Sequence, residues 1–235
     1  MKLARTMRGL AVAGALSLAL ALPTVAVAQE NAGRFAGEIG EFAFRDKVLM
    51  PEPCKLLFVG SSSIRLWVGL ERDFAVFEPI QRGFGGSQTE DANRYFDQLV
   101  ARYKPAKIVL YEGENDINAG KSVDVVEADL REFLDLKTNA LGSTPVYYIA
   151  TKPSPSRWAQ YEKQKALNAR MKALAEARDD LVYIDIVSGM LDDDGKPRPD
   201  IFVSDNLHMN HRGYEKWRAA VYAALTQPAS TAPHC

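Results

Sequence analysis

The chain has 235 residues, 47% of them hydrophobic, with 29 Lys+Arg against 30 Asp+Glu and a formal net charge of −1. That length suffices for one domain with a sizeable core. The near-neutral charge excludes the electrostatic bias of a protein built to bind nucleic acid or anionic lipid.

The first segment reads as an address rather than as part of the fold. Met1–Arg8 carries Lys2, Arg5 and Arg8 and no acid, Leu10–Leu22 is apolar, and Ala26-Val27-Ala28 places small residues at −3 and −1 before Gln29. These are the three regions of a secretory signal peptide, in order. Pro23 and the small-residue stop after a short apolar core argue against a membrane anchor. No cysteine lies near the cleavage site to carry a lipid, and no later stretch is apolar enough to span a membrane. The expectation is a signal peptide over 1–28 and a single domain over 29–235, exported to the periplasm or beyond. Removing 28 residues and three positive charges leaves 207 residues and a net charge of −4. Cys54 and Cys235 both remain, and an oxidising compartment permits a bridge between them. Two thiols and one disulfide are both open at this point, and neither cysteine is given a catalytic role.

Along the chain, short apolar runs alternate with longer amphipathic ones. Glu30–Leu49 reads as an extra N-terminal helix covering a sheet. Lys55–Gly60 is a continuous apolar run with a glycine stop, as a strand buried on both faces should be. Phe77–Gln81 is a weaker strand candidate. Thr89–Arg102 places Ala92, Tyr95, Phe96 and Leu99 on one helical face. Lys107–Tyr111 is a strand, and Ser122 caps a helix whose inner side carries Val125, Val126, Leu130, Phe133 and Leu134. Val146–Ala150 is a fourth strand. Trp158–Arg178 is a helix with Leu167, Met171 and Leu174 inward, and Leu181–Ile186 is a fifth strand. Ser188–Val203 is irregular, and His211–Leu225 is a closing helix with Tyr214, Trp217, Ala220, Val221 and Leu225 on its core face. The tail after Gln227 reads as frayed. Repeated strand–helix alternation argues a single α/β domain with a parallel sheet between helix layers.

In an open parallel sheet, ligands bind beyond the carboxyl ends of the strands. Ser62 follows the first strand, Gly86 the second and Asn115 the third, while Asp205 and His208 lie between the last strand and the final helix. A Ser, an Asp and a His are the parts of a nucleophilic hydrolase. Ser62 is the candidate nucleophile, His208 the general base, and Asp205 the group that fixes the imidazole tautomer. The N–H groups of Ser62 and Gly86 and the side-chain amide of Asn115 are candidate donors to an oxyanion. Each piece has a plain alternative: Ser61–Ser63 as helix caps, Gly83-x-Gly85-Gly86 as a flexible turn, and Asn115 as a turn residue. Ile64 departs from the G-x-S-x-G elbow, which disfavours an ordinary α/β-hydrolase. Gln88 stands where a dinucleotide fingerprint needs its third glycine. His208-x-x-His211 lacks an obvious third metal ligand, and Asp192-Asp193-Asp194-Gly195 lacks the later glutamate of a calcium loop. No metal and no cofactor are expected.

Four segments together carry a family resemblance: Phe58-Val59-Gly60-Ser61-Ser62-Ser63-Ile64, Gly83-Phe84-Gly85-Gly86-Ser87, Gly113-Glu114-Asn115-Asp116 and Asp205-Asn206-Leu207-His208. In order and approximate spacing they resemble the Ser, Gly, Asn and His blocks of the SGNH/GDSL hydrolases. The resemblance implies a flavodoxin-like three-layer α/β/α fold with five parallel strands and metal-free hydrolysis of esters or thioesters. It places the nucleophile on Ser62, the oxyanion donors on Ser62, Gly86 and Asn115, and the remaining triad members on Asp205 and His208. Ser61, Gln81 and Asn206 depart from the common family pattern, none at a catalytic position.

The expected function is an exported serine esterase acting on short-acyl, acetyl-type esters of a carbohydrate or small molecule. A lysophospholipase or thioesterase, or a non-catalytic glycan-binding protein on the same scaffold, are the alternatives. Arg65, Trp67, Phe84 and Gln88 closely follow catalytic strand ends and are expected near the mouth, with ordinary packing as the equal alternative. Neither the acyl nor the alcohol group, nor the oligomeric state, is readable.

Overall fold

A computed structural model describes residues 33–227. The expected signal peptide, its cleavage site, the frayed tail and Cys235 lie outside the described residues. The chain divides into two compact units, Met1–Ala36 and Gly37–Cys235. Only residues 33–36 of the first are described, and the second carries the whole sheet. No helix among the described residues is long and apolar enough to cross a membrane.

Five strands form the sheet: β1 Leu56–Gly60, β2 Ile80–Gly83, β3 Lys107–Tyr111, β4 Val146–Ile149 and β5 Leu181–Ile184. Their order is β2-β1-β3-β4-β5, and every pair is parallel. This is the doubly wound order in which the chain leaves β1 to one side for β2 and crosses back to β3. The switch opens a crevice at the carboxyl ends of β1 and β3. Register makes those ends flush, with Gly60 opposite both Gly83 and Tyr111. The first three strands are therefore cut off at one level, and the loops that follow share one rim. β1 and β4 are buried along their whole length, as near-continuous apolar runs in a sheet covered on both faces require.

The helices are α1 Ala36–Val48, α2 Ser62–Arg65, α3 Leu70–Asp73, α4 Thr89–Arg94, α5 Phe96–Leu99, α6 Glu114–Asn118, α7 Val123–Leu141, α8 Tyr161–Glu176 and α9 His211–Thr226. Ser122 caps α7 as expected, its hydroxyl accepting from the Val125 N–H at 3.3 Å. α1 is the expected N-terminal helix. It is pinned near β2 by buried Asp46, which accepts from Arg82 Nη2 and from Tyr103 Oη, each at 2.6 Å. Burial, with the Asp46 carboxylate beside it, pushes the Tyr103 hydroxyl up to about 12.

Several expected boundaries move, the fifth strand for one ending at Ile184 rather than Ile186. The second strand starts at Ile80, not Phe77. Pro79 has no N–H for the ladder, Glu78 takes a left-handed φ of 48°, and Ala75–Phe77 closes into a 3-10 turn. The helix expected over Thr89–Arg102 is broken at Tyr95 and Val100 and ends in a 3-10 turn, Ala101–Tyr103. Its end has a physical reason: Lys104 precedes Pro105, and a residue before proline avoids the right-handed helical region. The helix expected from Trp158 begins at Tyr161, after a 3-10 segment over Pro155–Gln160 with non-helical geometry at Arg157.

On one side of the sheet, Phe58, Trp67, Phe74, Tyr111, Tyr214 and Trp217 join one core cluster. Trp67 meets Phe74 edge-on at 5.4 Å and Trp217 at 6.0 Å, and Tyr111 meets Trp217 at 4.7 Å. Such pairs add about 0.5–1.5 kcal/mol each beyond the burial of their area. The cluster is a rigid floor under the β1 end of the rim.

Candidate active site

The first loop is built by close approach. Gly60 ends β1 with φ 145°, and a Cβ there would lie 2.2 Å from the Tyr111 carbonyl oxygen, so only glycine lets β1 and β3 run this close. The Ser61 N–H then donates to that same carbonyl at 3.1 Å, and α2 begins at Ser62. At Gly83 a Cβ would lie 2.3 Å from the Arg65 backbone nitrogen, so α2 and the end of β2 touch through a missing side chain. Ser62 thus stands at the head of a short helix clamped between two neighbouring strands.

Ser62 Oγ lies 2.8 Å from His208 Nε2, and His208 Nδ1 lies 2.6 Å from Asp205 Oδ2. The second carboxylate oxygen of Asp205 accepts from the N–H groups of Leu207 and His208, both at 2.9 Å. This local turn fixes the acid before it meets the ring. Asn206 carries the turn with φ 56°, a left-handed conformation that Asn tolerates. Burial would raise the Asp205 carboxyl, but the ring and the two backbone N–H groups outweigh it and hold it at about 2. An ionised Asp205 makes Nδ1 the protonated ring nitrogen, so Nε2 faces Ser62 Oγ as an acceptor. The row can take a proton from Ser62 and stabilise the imidazolium that forms. Residues 146 positions apart meet at this rim.

The serine-cap alternative does not describe this loop. Ser61, which precedes α2, makes no side-chain cap bond, and Ser62 Oγ is turned to His208. Asn115 lies within α6 rather than in a turn, and its Nδ2 donates to the Ser87 carbonyl at 2.8 Å. That bond sets the third block against the residue that follows Gly86. Gly86 itself takes φ 78°. Gly85 N–H donates to both carboxylate oxygens of Glu38, at 3.0 and 3.2 Å, and Glu38 Oε1 also lies 3.5 Å from Arg65 Nε.

Of the four residues expected near the mouth, two are corrected. Trp67 is 1% exposed, its indole N–H donating to Asp73 at 3.0 Å within the aromatic floor. Phe84 is fully buried, because its N–H extends the pairing with the Gly60 carbonyl and carries the side chain inward. Arg65 is exposed beside Glu38, and Gln88 is the N-cap of α4, its N–H donating to Asp91 at 3.0 Å. His208 and His211 diverge: the second turns outward to Glu215, at 3.2 Å. Among the described residues no group of three His, Cys, Asp or Glu is arranged to hold a metal ion. Asp192 folds its carboxylate onto the N–H groups of Asp194 and Lys196, a solvated turn.

Several polar residues at the rim carry no role in the sequence reading. Glu114 and Lys152 are buried as an ion pair, and Arg157 joins them with Nη1 3.2 Å from Glu114 Oε1. Lys152 and Arg157 follow β4, so the position rule that found Ser62 and Asn115 also covers them. Glu112 is wholly buried, and burial, with Asp116 nearby, raises its carboxyl well above the ordinary range. Ser87 Oγ donates to it at 2.6 Å.

Residues 60–216 match the GDSL-like Lipase/Acylhydrolase family. No curated protein matches the chain in sequence. A Streptococcus pneumonia protein, provisionally described as a platelet activating factor, superposes with TM-score 0.73 at 20% identity, covering 86% of this chain and 98% of its own. A GDSL-like lipase from Bacteroides thetaiotaomicron gives TM-score 0.69 at 20% identity, covering 82% and 98%. An acetylxylan esterase from Geobacillus stearothermophilus gives 0.62 at 14% identity, covering 76% and 96%. At these identities the likeness is one of fold, and it agrees with the three-layer α/β/α arrangement of five parallel strands.

Proposed function

Since the chain belongs to the GDSL-like lipase/acylhydrolase family and is a carboxylic ester hydrolase, we propose that it works through an acyl-enzyme on Ser62, with His208 as base and Asp205 as its orienter. The observation that carries this reading is the unbroken row of hydrogen bonds, 2.8 Å from Ser62 to His208 and 2.6 Å from His208 to Asp205. His208 Nε2 removes the Ser62 hydroxyl proton as Oγ attacks the ester carbonyl. In this reading the N–H groups of Ser62 and Gly86 and the second amide hydrogen of Asn115 donate to the oxyanion. The ester C–O bond breaks, and the alcohol leaves with the proton from His208. Water then attacks the acyl carbonyl, gives its proton to His208 and releases the acid, and Ser62 regains its hydrogen.

The substrate we favour is a short-acyl, acetyl-type ester of a carbohydrate or small molecule, met outside the cytoplasm. Two observations support it. The Asp205 side chain is 47% exposed and that of His208 23%, so the row opens directly to solvent, where a bulky alcohol can dock. A fold neighbour is an acetylxylan esterase. The test is hydrolysis of p-nitrophenyl acetate by wild type and Ser62→Ala with EDTA present. Loss of at least about 10⁴-fold in the variant is expected, because triad members act as a unit. Full activity in Ser62→Ala would remove the reading. An optimum at long acyl chains across a p-nitrophenyl ester series would replace the short-acyl substrate with a lysophospholipase or thioesterase substrate.

A further inference from the structure

Behind the Ser62–His208–Asp205 row lies a cluster of buried charged side chains that the mechanism does not use. Lys152 is 1% exposed and Glu114 3%, and they form an ion pair. Lys152 Nζ also reaches Ser63 Oγ at 3.3 Å and Tyr111 Oη at 3.4 Å. Tyr111 Oη donates to Glu114, and Arg157 Nη1 closes on the other Glu114 oxygen at 3.2 Å. Burial would raise the Glu114 carboxyl, yet Lys152 and Arg157 hold it below its ordinary range. One carboxylate lies between two cations.

Burying ions costs several kcal/mol each, and a buried pair is often no more stabilising than an apolar replacement. Stability alone is thus a poor account of this cluster. Its connections supply a better one. Ser63 is the neighbour of Ser62, and the Tyr214 hydroxyl fixes its carbonyl from α9 at 3.0 Å. Glu114 is the neighbour of Asn115. Arg157 follows Ser156, whose N–H donates at 3.1 Å to the carbonyl of Asn206, inside the Asp205–His208 turn. Lys152 begins that same connection at the end of β4. Two arms therefore end one position from Ser62 and from Asn115, and the third reaches the Asp205–His208 turn through the Ser156 bond.

We propose that Lys152, Glu114 and Arg157 are positioning residues, an ionic clasp that holds the nucleophile, oxyanion and acid–base loops in one geometry. The inference rests on the reading of Ser62, Asn115, Asp205 and His208 as the catalytic groups. The clasp touches no reacting atom. It acts by limiting the relative drift of three loops, where a misplacement of about 1 Å can cost about 10²-fold in rate.

The test compares Arg157→Gln, Arg157→Lys and the double variant Lys152→Met/Glu114→Gln, which removes both buried charges together. kcat and KM for p-nitrophenyl acetate are measured per active site, counted by end-point labelling with a fluorophosphonate, with thermal unfolding followed in parallel. The expected result for Arg157→Gln and the double variant is a kcat per labelled site about 10- to 100-fold lower, with KM changed by less than about threefold, and partial recovery in Arg157→Lys. Arg157 has a side chain 12% exposed at the rim, so its variants carry the test if the double variant does not fold. A kcat per labelled site within about twofold of wild type in the folded variants, whatever their Tm, would overturn the clasp. Ser62→Ala run alongside separates the two ideas. An active Ser62→Ala removes the catalytic reading itself, whereas an inactive Ser62→Ala beside fully active clasp variants removes only the clasp.

Discussion

Asp205→Asn is expected to inactivate the site while leaving its shape intact. Asp205 uses one oxygen to accept two backbone N–H bonds at 2.9 Å and the other to accept from His208 Nδ1 at 2.6 Å. Asparagine has one acceptor and one donor. Its oxygen must stay on the two N–H groups, because turning it would set NH₂ against two donors at once. The NH₂ then faces Nδ1 and drives the imidazole into the opposite tautomer. Nε2 becomes a donor to Ser62 Oγ at 2.8 Å and can no longer take its proton. Removing the correct tautomer in this way costs about 10⁴-fold in kcat, or about 5 kcal/mol of transition-state stabilisation. Wild-type Asp205 is held at about 2, so its own ionisation does not limit activity anywhere from pH 5 to 9. The assay is kcat/KM for p-nitrophenyl acetate over that range, with circular dichroism as the control for folding. A variant that folds and loses less than about tenfold near neutral pH would refute the tautomer argument and the role given to Asp205.

Glu112→Gln is expected to stabilise the protein increasingly as pH rises. The Glu112 carboxyl is raised in the folded state, so its contribution is fully present below the ordinary value of 4.5 and is lost as pH climbs toward the folded pKa. Glutamine is neutral throughout and can still accept from Ser87. A Tm difference between variant and wild type that fails to grow from pH 5 to pH 8 would contradict this. Asp46→Ala should cost about 3–5 kcal/mol in denaturant unfolding, because it leaves Arg82 nearly buried and without its carboxylate. Its kcat should stay near wild type at temperatures where it is folded, and a cost below about 1 kcal/mol would show that the Asp46 network is dispensable. For the leader, N-terminal sequencing of protein from an exported fraction should begin at Gln29, and a chain that retains Met1 would count against export.

Much of this arrangement is legible in the sequence, for identifiable reasons. The sheet is, because β1, β3 and β4 are short apolar runs buried on both faces, where composition and burial agree. Ser62, Asn115, Asp205 and His208 are as well, because each follows a strand or precedes a helix at the carboxyl rim. The edge of the sheet is less legible: Pro79 and Glu78 displace β2 toward its glycines, which apolar character alone does not reveal. Trp67 and Phe84 were misplaced for a related reason. Nearness in sequence to a candidate site residue says nothing of side-chain direction, and both side chains turn into the core. The ionic cluster is hidden because Lys and Glu are ordinarily solvent-facing residues, and only packing reveals that Lys152 and Glu114 are not.

The family-matched span opens at residue 60, yet the carboxylate that receives the Gly85 N–H belongs to Glu38, on a helix that ends at Val48. The N-terminal helix is therefore a tether for the glycine turn beside the Ser62 loop. A graft that joins residues 60–216 to another relative's leader would carry over Ser62, Asp205 and His208 and leave that turn without its anchor. In this protein, the choice of where a chimera begins is already a choice about the rim that holds Ser62 and His208.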